Sequence, residues 1–336
     1  MHFEPSAERG AALDIRMRAR LADTLDYVFD EAGDELRVSP AEARRAGAEI
    51  RAASQSPNRF GAYYDMVLAL EDNDIERARG MAREVLIPAG AREMRVAAIG
   101  DRAGGEAARY RRMLMNDPAM LHDCDAALLA SAEARIVAAF DLLDRGFPAM
   151  ANEIRALLRE VVIAEGPEDP KAPTFDGASS YMLWGATLLN ARGQTNVLDT
   201  AQALAHESGH NLLFGFCVSG SLVENSDEEL FSSPLRQDAR PMDGVFHATY
   251  VVARMHQTVS RLLEAGVIDD ESMPGALADL AAHRRNFAAG DQVIRDGGRL
   301  TPLGTEVIES ARSYMAGCGE PRGIRAGQLA IGQARR

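Results

Sequence analysis

Ala203-Leu204-Ala205-His206-Glu207-Ser208-Gly209-His210-Asn211-Leu212-Leu213 holds a His-Glu-x-x-His motif on apolar spacing that reads as a helix. Each helical residue advances about 100°, so His206 and His210 lie on one face, one turn apart, close enough to share a metal ion. Glu207 falls beside them. Asp199 followed by Gln202 reads as a reciprocal cap opening this helix, and Gly215 is placed to end it. Both histidines are therefore expected mid-helix, as metal ligands, with Glu207 as the candidate catalytic residue.

Working outward, the β-branched run Val161-Val162-Ile163 predicts a strand. A Pro- and Gly-rich loop from Gly166 to Gly177 leads to an extended segment over 180–189, and the motif helix follows directly. Strand, edge strand and metal helix in that order resemble zincin-like catalytic domains. Downstream, Pro241 to Gly266, Pro274 to Gly290 and Pro302 to Gly317 read as helices with Pro at the start and Gly past the end. Upstream, Ser6 opens a long helix closed by Gly33, and Ser39-Pro40 and Ser56-Pro57 open two more. Further helices fill the chain to Asn116, and Asp117-Pro118 starts a helical run that Gly146-Phe147-Pro148 breaks. The expected fold is mainly α with a small antiparallel β-sheet, an α+β protein whose metal helix lies in the C-terminal part. Three regions are expected. Residues 1–116 form a helical region that recognises a peptide or buttresses the fold, 117–318 form the metal-binding catalytic domain, and 319–336 form a loosely ordered tail.

The formal charge of −13, with no long run of Lys or Arg, argues against nucleic acid or an anionic membrane as partner. The polar, acidic start MHFEPSAERG carries no signal-peptide pattern, and no run of eighteen apolar residues occurs, so the expectation is a cytoplasmic protein. Cys124, Cys217 and Cys318 are odd in number and far apart, which suits free thiols.

Two histidines leave a metal open, so a third ligand decides the chemistry. A metzincin would place Gly at 213 and His at 216, where this chain has Leu213 and Phe216. A gluzincin-type zinc peptidase would take Glu229, nineteen residues past His210, as third ligand and Glu207 as general base. Glu229 equally fits a solvated acidic cluster, Asn225-Ser226-Asp227-Glu228-Glu229. A third reading takes the ligand from the segment from Ser233-Pro234-Leu235-Arg236 through Arg240-Pro241 to Gly244-Val245-Phe246-His247.

Together with the motif helix, that segment resembles the bacterial HEXXH-motif family of α-ketoglutarate-dependent peptide β-hydroxylases, over about residues 180–265. The resemblance implies an Fe(II) oxygenase that uses α-ketoglutarate and dioxygen to hydroxylate a side-chain β-carbon, of His or Asp, in a ribosomally made precursor peptide. It implies His247 as third ligand. Three neutral imidazoles would leave Fe(II) three open positions, enough for a bidentate keto acid and dioxygen. Arg240 or Arg236 would clamp the distal carboxylate of α-ketoglutarate in a two-pronged fashion, and Ser233 would add a hydroxyl. Each arginine also fits a surface ion pair, and Ser233 before Pro also fits an ordinary turn. Asp243, one turn before His247, either orients its imidazole or caps the helix.

Overall fold

A computed structural model describes residues 3–88, 93–102, 105–167, 174–233 and 238–318. The chain forms two compact units, each built from separated stretches. One comprises residues 7–134 and 153–194, and the other residues 1–6, 135–152 and 195–336. Residue 117, the expected start of the catalytic region, thus falls inside the first of these.

In the unit of residues 7–134 and 153–194, Ala7–Leu36 (α1), Pro40–Ala52 (α2), Pro57–Glu71 (α3) and Ile75–Leu86 (α4) precede Arg95–Ala98 (β1) and Gly105–Leu114 (α5). The Ser39 and Ser56 side chains cap α2 and α3, and α2 carries a full capping box with Glu42. α1 runs three residues past Gly33, and Arg37, at φ 56°, takes the left-handed position that the sequence reading assigned to the glycine. The strand β1 lies where further helices were expected.

Glu160–Ala164 (β2), Gly177–Ser179 (β3) and Ala186–Asn190 (β4) complete a sheet in the order β1-β2-β4-β3. The expected antiparallel sheet needs correction: β1, β2 and β4 are mutually parallel, and only the edge strand β3 runs against β4. The physical reason is legible in the residues. Every position of β2 and β4 is buried, a continuous rather than alternating pattern that belongs to parallel strands covered on both faces. Ile99, Tyr110, Met113, Val162, Leu183 and Leu188 form much of the core around them. At the start of β2, the fully buried Glu160 faces Arg95 across the β1–β2 pair and accepts from Arg95 at 2.7 Å, Arg102 at 2.6 Å and Tyr110 at 2.7 Å.

The chain leaves this unit within Ala126–Gly146 (α6) and returns within Pro148–Leu157 (α7). Asp117-Pro118 opens only a short 3₁₀ turn, and α6 begins at Ala126. In the other unit, Val197–Phe216 (α8) is followed by the two-stranded antiparallel ribbon Leu230–Phe231 (β5) and Arg240–Pro241 (β6). Met242–Glu264 (α9), Met273–Gly297 (α10) and Pro302–Gly317 (α11) follow. Gly266, at φ 66°, terminates α9 as expected. Gly290 does not end α10; it lies within the helix, where a Cβ would collide with Thr249 of α9. Phe3 stacks on Tyr314 at 4.9 Å and meets Tyr250 edge-on at 5.5 Å, while Arg254 donates to its carbonyl at 3.2 Å. The three cysteines are free thiols. Among the described residues, no helix is long and apolar enough to cross a membrane.

Candidate metal centre

The cap of α8 is Asn196, three residues before the expected one. The Asn196 side chain accepts from the Asp199 amide at 2.9 Å, and the Asp199 carboxylate accepts in return from Thr195 Oγ1 at 2.7 Å and Asn196 Nδ2 at 3.0 Å. Gln202 instead donates to Asp279 of α10 at 2.8 Å. Gly215 stays within the helix, which continues to Phe216. Most of α8 is buried, so the motif sits on a rigid segment. Gly209 decides how near α9 comes, since a Cβ there would lie 3.0 Å from Val251 Cγ1.

The motif histidines meet as their spacing requires. His206 Nε2 and His210 Nε2 are 3.2 Å apart. Two nitrogens each about 2.1 Å from one ion and 3.2 Å from each other subtend about 100°, between the octahedral and tetrahedral angles. This pair fits a shared ion. Glu207 is buried, with Oε1 3.9 Å from His206 Nε2. The other ring nitrogen of His206 lies 3.2 Å from Met255 Sδ of α9.

His247 joins the cluster from α9, but on the other side of His210. The two Nδ1 atoms of His210 and His247 are 3.2 Å apart, and Phe214 packs against both rings with centroids at 6.4 and 5.3 Å. Burial pushes His247 below the usual histidine range, opposed by the Asp243 carboxylate 3.8 Å from its Nε2. Asp243 therefore stands where an orienting partner would. The three imidazoles form a row, His206 to His210 to His247, rather than converging. Among the described residues, no three His, Cys, Asp or Glu side chains form a metal-ligand set. The site thus fits an ion at two nitrogens; His247 would have to turn a nitrogen to the Nε2 side of His210 to become the third.

Arg240 lies in β6, opposite Phe231 of β5. Its stem lies over the first turn of α9, where a Cβ at Gly244 would come within 3.4 Å of Arg240 Cδ. Its Nη2 is 3.5 Å from the exposed Asp238 carboxylate, and its buried Nε has no partner among the described residues. No side chain caps α9, so Arg240 adds its charge to an end already favourable for an anion. Ser233 is buried on the segment that follows β5. Arg236 lies outside the described residues.

Glu229 does not join the histidines. Its carboxylate takes Arg299 at 2.5 and 3.0 Å, the Asn225 amide at 3.2 Å and the Ser226 backbone at 3.2 Å. The Arg299 guanidinium and these donors hold its pKa down to about 2. His256 is likewise separate, with one ring nitrogen 2.9 Å from the Tyr314 hydroxyl and the other accepting from Arg284 at 3.2 Å. Burial holds its pKa near 4, and that of His283 also near 4. Burial likewise lifts the Cys217 thiol to about 11, which leaves it protonated at neutral pH.

Sequence reasoning missed Phe214, Met255 and Gln202 as neighbours or extensions of the histidine row. Phe214 and Gln202 stand four residues either side of the histidines on one helix, a spacing that was available as a signal. Met255 carried none, since it reaches His206 only through helix packing. No family model matches the chain, and no curated protein matches it.

Proposed function

We propose that this chain is an Fe(II)- and α-ketoglutarate-dependent oxygenase that hydroxylates a side-chain β-carbon, of His or Asp, in a ribosomally made precursor peptide. The observation that carries this reading is the donor set: three imidazoles from two packed helices lie in one row, while Glu229, the third ligand that a gluzincin would need, is committed to Arg299. An all-imidazole set leaves several positions of an iron open, and bound Fe(II) would supply the activation of dioxygen. In this reading His206 and His210 hold the ion and His247 completes the set. Arg240, with a buried N–H to spare at the uncapped end of α9, receives the distal carboxylate of α-ketoglutarate. Ser233, and Arg236 on the same segment, would assist there. Glu207 positions water or peptide beside His206. The family resemblance supports the choice of peptide and of target carbon, and the residue pattern over 233–247 supports the cosubstrate.

A zinc peptidase is the second reading, favoured by the approach of Glu207 to His206 Nε2, where a general base would stand. It lacks Glu229 as third ligand. Anaerobic loading of the chain with Fe(II), then α-ketoglutarate, separates the two. The oxygenase reading expects a visible charge-transfer band that is lost in His247→Ala and weakened at least tenfold in affinity by Arg240→Ala. Absence of the band together with peptide cleavage abolished by Glu207→Gln would overturn it.

A further inference from the structure

One turn along α8 from His206, three side chains form a second polar group. Gln202 is 4 % exposed, and its Nε2 donates to Asp279 Oδ2 at 2.8 Å. That bond fixes the amide orientation, because a carboxylate needs a donor. The other amide atom, Gln202 Oε1, is buried and has no partner among the described residues. His283 is 6 % exposed, and its Nδ1 is buried with no partner among the described residues. Asp279 and His283 are four apart on α10, neighbours on one helix face, and the Asp279 carboxylate is near enough to act on the charge of this imidazole.

The helix directions set the two groups side by side. α8 runs against α9, since His210 lies by His247 and His206 by Met255. α10 also runs against α9, since Thr249 lies by Gly290 and His256 by Arg284. α8 and α10 therefore run the same way, and the Gln202–Asp279 bond ties them about 6 Å along α8 from His206.

We propose that Gln202 Oε1, Asp279 and His283 Nδ1 form a second site for a divalent first-row transition-metal ion, distinct from the histidine row. An amide oxygen, a carboxylate and an imidazole are a mixed oxygen and nitrogen set that suits such ions, with water completing the shell. Two buried polar atoms without partners among the described residues are costly unless something binds them, and a cation satisfies both at once when the imidazole carries its proton on Nε2. The chain's charge of −13 favours a cation over an anion there.

The test is a Co(II) titration of the chelator-stripped full chain, followed by visible absorption and calorimetry. In the double variant His206→Ala, His210→Ala one equivalent of Co(II) should still bind, and adding Gln202→Met, which keeps the length but loses the oxygen, should weaken it at least tenfold. His283→Leu should do the same, with circular dichroism reporting that each variant is folded. A double variant that binds no Co(II) would assign the two buried polar atoms to water and overturn the proposal. So would an affinity unchanged by both Gln202→Met and Asp279→Asn. Neither outcome depends on the oxygenase reading, because the histidine row is already removed.

Discussion

Glu160, in the unit that carries the four-stranded sheet, and the polar seam of α8, α9 and α10 are both buried, and they treat their polar atoms in opposite ways. Both Glu160 oxygens are used, one by Arg95 and Arg102 and the other by Tyr110. In the helical seam, Gln202 and His283 each have a buried atom without a partner among the described residues, and the fully buried Gln257 has two. The sheet unit has orphan atoms as well, such as Arg102 Nε and Arg59 Nη2, but those guanidinia are bonded through their other nitrogens. A carboxylate saturated by protein donors holds the fold together. Acceptors left open beside a histidine row are available to something else.

The sharpest way to break this contrast is Glu160→Leu, which strands the buried Arg102 guanidinium in the interior and leaves the buried Tyr110 hydroxyl without its acceptor. Urea denaturation should show a loss of about 3–5 kcal/mol. A loss under 1 kcal/mol would mean the cluster is not structural. Next in size is the pH response of His256, whose pKa is lowered to about 4 in the folded chain from 6.5. The unfolded chain takes up the proton first, so stability is flat above about pH 6.5 and falls as pH drops toward 4. The decline from this residue should be about 1 kcal/mol per pH unit at its steepest. Thermal melts of His256→Gln over that window should show a shallower decline than the parent, and an unchanged slope would assign the sensitivity elsewhere. The smallest effect belongs to Gln257→Leu, which removes an amide that bonds to none of the described residues and should raise stability by about 1 kcal/mol. A clear destabilisation would show that this amide is hydrated or bonded in solution, and would weaken the contrast at its strongest point.

Much of this architecture is legible residue by residue. Val161-Val162-Ile163 has the β-branched density of a buried strand, and the His-Glu-x-x-His spacing puts two imidazoles on one helix face, where their nitrogens come 3.2 Å apart. By contrast, Arg95-Val96-Ala97-Ala98 has one β-branched residue among helix formers, and its extended state comes from pairing with β2. The direction of the sheet was open to reading, because β2 and β4 lack alternation. His247 shows a different limit: its neighbourhood follows from sequence, but the nitrogen it presents depends on how α9 seats against Gly209 of α8. Glu229 shows another, since a ligand-like spacing says nothing of Arg299, seventy residues away, which takes its carboxylate.

The contacts of Phe3 set an order of assembly during synthesis. Residue 3 leaves the ribosome long before Tyr250 and Tyr314 exist to receive its ring, whereas the sheet unit has all its strands once residue 190 has emerged. The nascent sheet can therefore mature early, with its inserted segment 135–152 still waiting for partners. The unit bearing the histidines closes late, when α11 arrives and the early aromatic anchor is finally docked. Until then its histidine nitrogens belong to an unfinished domain, so any ion they hold would be loaded at the end of translation or after it.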